Sequence, residues 1–210
     1  MAVRAEGRRR ERSGPVTSGL AATDLAAVRE QIGREPRGAL RVAHRCPCGR
    51  PDVVETAPRL PDGTPFPTTF YVTCPRLTGR VSTLEGTGIM ADMTAALDTN
   101  SVLAERYRAA HADYLARRSA LGEVPEIDGV SAGGMPTRVK CLHVLVGHSL
   151  AAGPGVNPLG DRALATLEAE GPWWEPPCLP SGGPNAARGE GWAGGERAAV
   201  GEGAARGEEA

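Results

Sequence analysis

The chain has almost no lysine. Of its 24 cationic side chains only Lys140 is a lysine and the other 23 are arginines, a bias that, with abundant alanine and glycine, resembles proteins coded by GC-rich genomes. A lone surviving ammonium is compact and titratable in a way that guanidinium is not, which singles Lys140 out. Charge of one sign is also lacking: the net charge is −1, and no Lys/Arg block is interleaved with aromatics. The electrostatic footprint of a dedicated nucleic-acid binder is therefore missing. No run approaches the ~20 apolar residues of a membrane span, and the arginines at positions 4, 8, 9, 10 and 12 lead into no apolar signal region. The expectation is a cytoplasmic protein with neither nucleic acid nor membrane as a partner. A Gly-x-x-x-x-Gly-Lys-Ser/Thr loop and paired Cys-x-x-Cys knuckles are absent too, which excludes a Walker-type nucleotide site and a standard zinc ribbon.

What is present fits one ordinary domain with appendages: 210 residues, 40% of them hydrophobic. Residues 1–19 offer little to bury and read as a basic arm, and residues 181–210 read as a Gly/Ala/Glu/Arg tail. Between them, residues 20–180 carry the domain. Thr23 reads as the cap of a short helix with Leu25, Val28 and Ile32 on one face, stopped by Gly33 and Pro36. From Gly38 the period changes to two, with Leu40, Val42 and His44 alternating, so a strand is expected up to the Cys46-Pro47-Cys48-Gly49 turn. Residues 52–56 are its return strand. The proline-rich stretch 58–67 is a rigid excursion ahead of a third strand at 69–73. Pro75 then opens a helix, Ile89 another, and Asn100 or Ser101 caps the longest one, with Leu103, Tyr107, Ala110 and Tyr114 as its stripe. After a loop, a helix from Pro136 carries Lys140, Cys141, His143 and His148, and a last one runs over 159–168. The fold class is α+β, with a small antiparallel sheet bearing the Cys-Pro-Cys turn packed against several helices.

Two sets of residues carry chemistry. Cys46, Cys48 and Cys74 fall at one end of the expected sheet, and thiolates two apart around a proline turn can face one tetrahedral ion. Zinc is the expected cofactor, and an iron–sulfur cluster would use the same ligands. On a helix, ~100° per residue points Cys141 and His143 about 160° apart, so only one of them should bind. Cys141 is the choice for fourth ligand, His44 the runner-up, and Cys178 ranks below both. The odd count of five cysteines agrees with ligands or thiols more than with a disulfide framework. The second set is an anion site: Gly133 and Gly134 lead into the helix start, with Arg138 and Lys140 beside it, and backbone N–H groups there suit a phosphate or carboxylate.

The segments HRCPCG, TAPRLPDGTPFPTTFYVTCPRL, GEVPEIDGVSAGGMPTRVKCLHVLVGHSLAAGPGVNPLG and GPWWEPPC resemble the actinobacterial family known as domain of unknown function 501. The resemblance spans roughly Thr23 to Cys178. It implies a bacterial cytosolic protein whose gene neighbours are a septum-formation initiator and an exopolyphosphatase-like enzyme, and it carries over no catalytic residues. Two function classes remain. One is a metal-stabilised binding or regulatory protein, with a small anion or a protein as partner. The other is an enzyme acting on a phosphorylated or carboxylated small molecule, with Arg138 and Lys140 holding the anion and His143 as acid or base. A cleft joining Lys140, His143 and the 131–136 loop would favour the enzyme.

Removal of residues 1–19 and 181–210 should leave the melting temperature of the domain unchanged, because neither segment can bury enough apolar area to offset its ordering entropy. Limited proteolysis followed by thermal denaturation checks this, and a fall of several degrees would move the domain boundaries outward.

Overall fold

A computed structural model describes residues 19–174. Most of the expected basic arm, Cys178 and the 181–210 tail lie outside the described residues. Helix α1 (Ala22–Ile32) precedes three strands, β1 (Ala39–Arg45), β2 (Pro51–Thr56) and β3 (Phe70–Val72), which pair antiparallel in that spatial order. Helices α2 (Pro75–Glu85), α3 (Ile89–Thr99), α4 (Ser101–Leu121), α5 (Leu142–Ala152) and α6 (Pro158–Ala169) follow. The protein is thus of the α+β class, and its β1–β2 hairpin carries the Cys-Pro-Cys turn.

Every residue of β2 is buried, because the sheet is covered on both faces. Side chains alternate along a strand, so Val53 joins the large core with Phe70, Val72 and Leu145 while Val54 joins Val28 and Ala39 beneath α1. Caps match local chemistry. The Asn100 side chain accepts the Leu103 N–H at 3.0 Å to start α4, Pro75 opens α2, and Gly33 ends α1 at φ 67. α1 begins at Ala22, with Thr23 inside its first turn instead of capping it.

Helix α5 is the hub. Leu142 and every residue from Val144 to Ser149 are buried, the mark of a helix enclosed on nearly all sides. Two glycines let it sit close to its neighbours. A Cβ on Gly147 would stand 2.8 Å from the Phe70 carbonyl oxygen, and one on Gly160 of α6 would overlap the Leu145 carbonyl.

At the centre is His148, fully enclosed. Its Nε2 lies 2.9 Å from Asp113 Oδ2, and its Nδ1 lies 3.3 Å from the Asn157 amide nitrogen. The Asn157 Oδ1 accepts the Gly160 N–H at 3.0 Å, which orients the amide so that Nδ2 faces the ring. The carboxylate can only accept and the amide nitrogen can only donate, so the imidazole is neutral with its hydrogen on Nε2. The ring stacks on Phe70 with centroids 5.7 Å apart and meets Tyr114 edge-on at 5.2 Å. Tyr114 in turn accepts the Thr69 N–H at 2.7 Å.

The expected helix start at Pro136 is corrected. The helix begins at Leu142, and residues 133–141 form a closed loop. The Gly133 carbonyl accepts the Lys140 N–H at 2.8 Å, and the Gly134 carbonyl accepts the Arg138 N–H at 3.2 Å. Val139 donates its N–H to Thr94 Oγ1 at 3.0 Å, and Tyr107 donates to the Arg138 carbonyl at 3.1 Å. Val139 is buried from this loop, so an apolar side chain three residues ahead of the buried Leu142 mimics helical spacing without helical backbone.

Replacing His148 with alanine should cost about 2–4 kcal/mol in urea unfolding, since it opens a cavity and strands Asp113 and Asn157. Burial depresses the His148 pKa against the raising influence of Asp113. Stability should therefore decline as pH falls below ~6.5, where the unfolded histidine takes up a proton that the folded one refuses. The alanine variant should show a shallower decline over the same range.

Candidate metal centre

The C-terminus of α2 meets the N-terminus of α5, and three donor groups converge there. Glu85 closes α2, Cys141 is the residue before α5, and His143 lies in its first turn. Among the described residues these three form the group whose ligand atoms all lie within 4.8 Å of one another. His143 Nδ1 is 3.3 Å from Glu85 Oε1 and 3.9 Å from Cys141 Sγ. On the far side of the ring, Nε2 lies 3.2 Å from the Thr78 carbonyl and 3.4 Å from Ser82 Oγ. Glu85 Oε1 also accepts the Leu142 N–H at 2.6 Å, so a side-chain carboxylate satisfies one orphan donor at the start of α5.

The expectation that only one of Cys141 and His143 could reach an ion is corrected by the helix start. Cys141 has φ −154 and ψ 116, extended backbone that does not obey the 100° rotation of a helix. Its side chain therefore swings to the same side as His143.

Charges reinforce the cluster. Burial opposes ionisation of Glu85, but the hydrogen bond and charge of His143 outweigh it and hold the carboxyl below its usual range. Burial likewise opposes a charged His143, yet the Cys141 and Glu85 side chains raise its pKa to about 10. A protonated ring in this position donates from both nitrogens, to Glu85 and to Thr78.

The geometry limits the chemistry. A carbonyl oxygen can only accept, so Nε2 carries a hydrogen toward Thr78 and cannot take a proton from Ser82. Cys141 and Glu85 both face Nδ1, so no nucleophile–base–carboxylate relay runs through the ring. Replacing the Nδ1 proton with a metal ion leaves Nε2–H on the Thr78 carbonyl, the outer hydrogen bond that orients a ligating histidine. Thiolate, imidazole and carboxylate together suit zinc. The cluster borders a cavity of about 380 Å³ lined by Phe70, Tyr71, Val72, Thr78, Ser82 and Val144.

The other expected site residues are elsewhere. Cys46 and Cys48 occupy the hairpin turn, and Cys74 precedes α2, whose eleven residues separate it from Glu85 by roughly 16 Å along the axis. His44 Nδ1 donates to Asp52 Oδ1 at 2.7 Å. Arg138 and Lys140 are exposed and line no part of the cavity, and Gly133 packs against Val144. The backbone N–H groups of 138, 139, 140 and 142 already have partners within the protein. Glu85 escaped the sequence reading, although an acid in the last turn of a helix opposes the helix dipole and so signals a partner from outside that helix.

Fold and cluster together describe a small α+β protein with a mixed Glu/Cys/His group that could hold a metal ion. The chain belongs to the DUF501 family, described as a protein of unknown function, whose model matches residues 42–165. No curated protein and no solved structure matches it.

Glu85→Ala should destabilise the fold by about 1–3 kcal/mol, because it leaves the Leu142 N–H without its acceptor. Glu85→Gln keeps that acceptor and should cost less. Chemical denaturation of the two variants beside the parent separates the capping contribution from the charge.

Proposed function

We propose that this protein binds a zinc-like divalent ion at Glu85, Cys141 and His143, and that the ion presents an open coordination position to the neighbouring cavity. The observation that carries this reading is the convergence of three different donor atoms within 4.8 Å around a ring whose outer nitrogen is already committed to the Thr78 carbonyl. Three protein ligands are the number used where zinc keeps a position for a water or a bound molecule, whereas purely structural sites use four. The cavity walls mix Phe70, Val72 and Val144 with the Thr78 and Ser82 hydroxyls, which suits a small, mostly apolar ligand with a metal-seeking polar group.

This is the metal-dependent binding or regulatory protein of the two classes. Lys140 and the 131–136 loop do not border the cavity with His143, so nothing joins the cationic residues to the metal-type centre as an anion-processing enzyme would require. Association with division or polyphosphate physiology, implied by family gene neighbours, names a setting for such a protein and not its chemistry.

Cobalt titration of the purified protein tests the reading. Cys141→Ser should remove one equivalent of bound cobalt together with its share of the thiolate-to-metal charge-transfer absorption, and His143→Ala should weaken binding of that equivalent by more than about 100-fold, beyond the loss typical of a supporting hydrogen bond. Binding unaffected by either change would overturn the proposal.

A further inference from the structure

The Cys-Pro-Cys turn takes no part in the cavity site, yet the end of the sheet that carries it gathers a second set of donors. The turn is tight: the Cys46 N–H bonds the Arg50 carbonyl at 3.0 Å, and the Gly49 N–H bonds the Cys46 carbonyl at 2.8 Å. Thr73 arrives beside it from β3. Its N–H bonds the Asp52 carbonyl at 2.9 Å, and its hydroxyl bonds the Pro51 carbonyl at 3.2 Å. Cys74, the next residue, therefore reaches the same end of the sheet. Cys46 and Cys74 are buried, and Cys48 is half-buried on the turn.

Asp52 is the telling member of this set. Its side chain is fully enclosed, and Oδ1 is bonded to His44 Nδ1 at 2.7 Å. The other oxygen, Oδ2, has no hydrogen-bond partner among the described residues. A buried carboxylate oxygen left unpaired is costly and calls for an explanation such as a bound ion. Burial above all, then the charges of Asp52 and Cys48, push the Cys74 thiol up, against the Leu77 and Arg76 N–H groups at the start of α2. The negative charge of Asp52 thus makes ionisation of Cys74 costlier, and a cation bound between them would relieve it.

We propose that Asp52 Oδ2, Cys74, Cys48 and Cys46 bind a second, thiophilic divalent ion of the zinc or cadmium class, with His44 holding the Asp52 carboxylate in place. Each thiol releases its proton to solvent as its sulfur binds. As the side chains stand, three donors come within 4.8 Å only at Glu85, Cys141 and His143 among the described residues. Binding at the sheet end therefore requires more than one of these side chains to change rotamer, the half-buried Cys48 among them. Four protein ligands would close the site, so its role is structural: it pins the β1–β2 hairpin to the start of α2.

The test uses full-length protein carrying Cys141→Ser and His143→Ala, which removes the cavity site and makes failure of one proposal distinguishable from failure of the other. Cadmium titration of this background, followed by the cadmium–thiolate absorption, should show one remaining equivalent. Bound cadmium should also slow alkylation of Cys48 and Cys74. Adding Cys48→Ser, a change on the exposed turn whose fold is checked by circular dichroism, should weaken cadmium binding by more than about 100-fold. No binding in the background, or binding indifferent to Cys48→Ser, overturns the proposal. Unchanged binding on Asp52→Asn in folded protein overturns the assignment of Asp52 as a ligand.

Discussion

An enclosed imidazole whose neighbours permit one protonation state holds four elements of this protein together. Asp113 from α4 can only accept from His148, and Asn157 ahead of α6 can only donate to it. Phe70 from β3 and Tyr114 from α4 supply the two ring contacts. A proton on Nδ1 would face the Asn157 amide hydrogens, so protonation sets two donors against each other in a dry interior. The helix that carries His148 is thereby held against α4, α6 and the sheet at once.

That immobility positions the candidate centre. With α5 fixed by His148 and by the Gly147 contact with Phe70, its first N–H comes to rest over the end of α2, where Glu85 meets it at 2.6 Å. The carboxylate sits at the unfavourable end of its own helix and at the favourable end of another, and the second interaction outweighs the first. Cys141 then precedes the helix in extended geometry and falls beside His143. Centre and core are thus one construction: the same helix buries its middle among apolar side chains and offers its start to polar ones.

Much of the fold was legible from local chemistry. Asn100, Pro75 and Gly33 mark helix ends because capping geometry and positive φ are properties of single residues, and the alternation from Leu40 to His44 marks a half-buried strand. The segment 133–141 was not legible. Val139 kept the helical period while its backbone hydrogen bond went to Thr94 on another helix, and no periodicity records a partner 45 residues away. Within the sites, Cys141, His143, Cys46, Cys48 and Cys74 stood out by residue type, whereas Glu85 and Asp52 did not, since acids are common on any surface.

The sequence by itself determined which segments are helices and strands, where most of them stop, and which rare side chains are available for chemistry. These follow from interactions spanning a few residues, whose strength is set by backbone sterics, capping and side-chain period. Only the tertiary structure decided which of those side chains meet. It joined Cys141 to Glu85 instead of to Cys74, left Lys140 in solvent, and turned His148 into a core residue. Each of these outcomes depends on how closely α5 approaches its neighbours, and that distance is set by glycine contacts and buried hydrogen bonds between residues far apart in the chain.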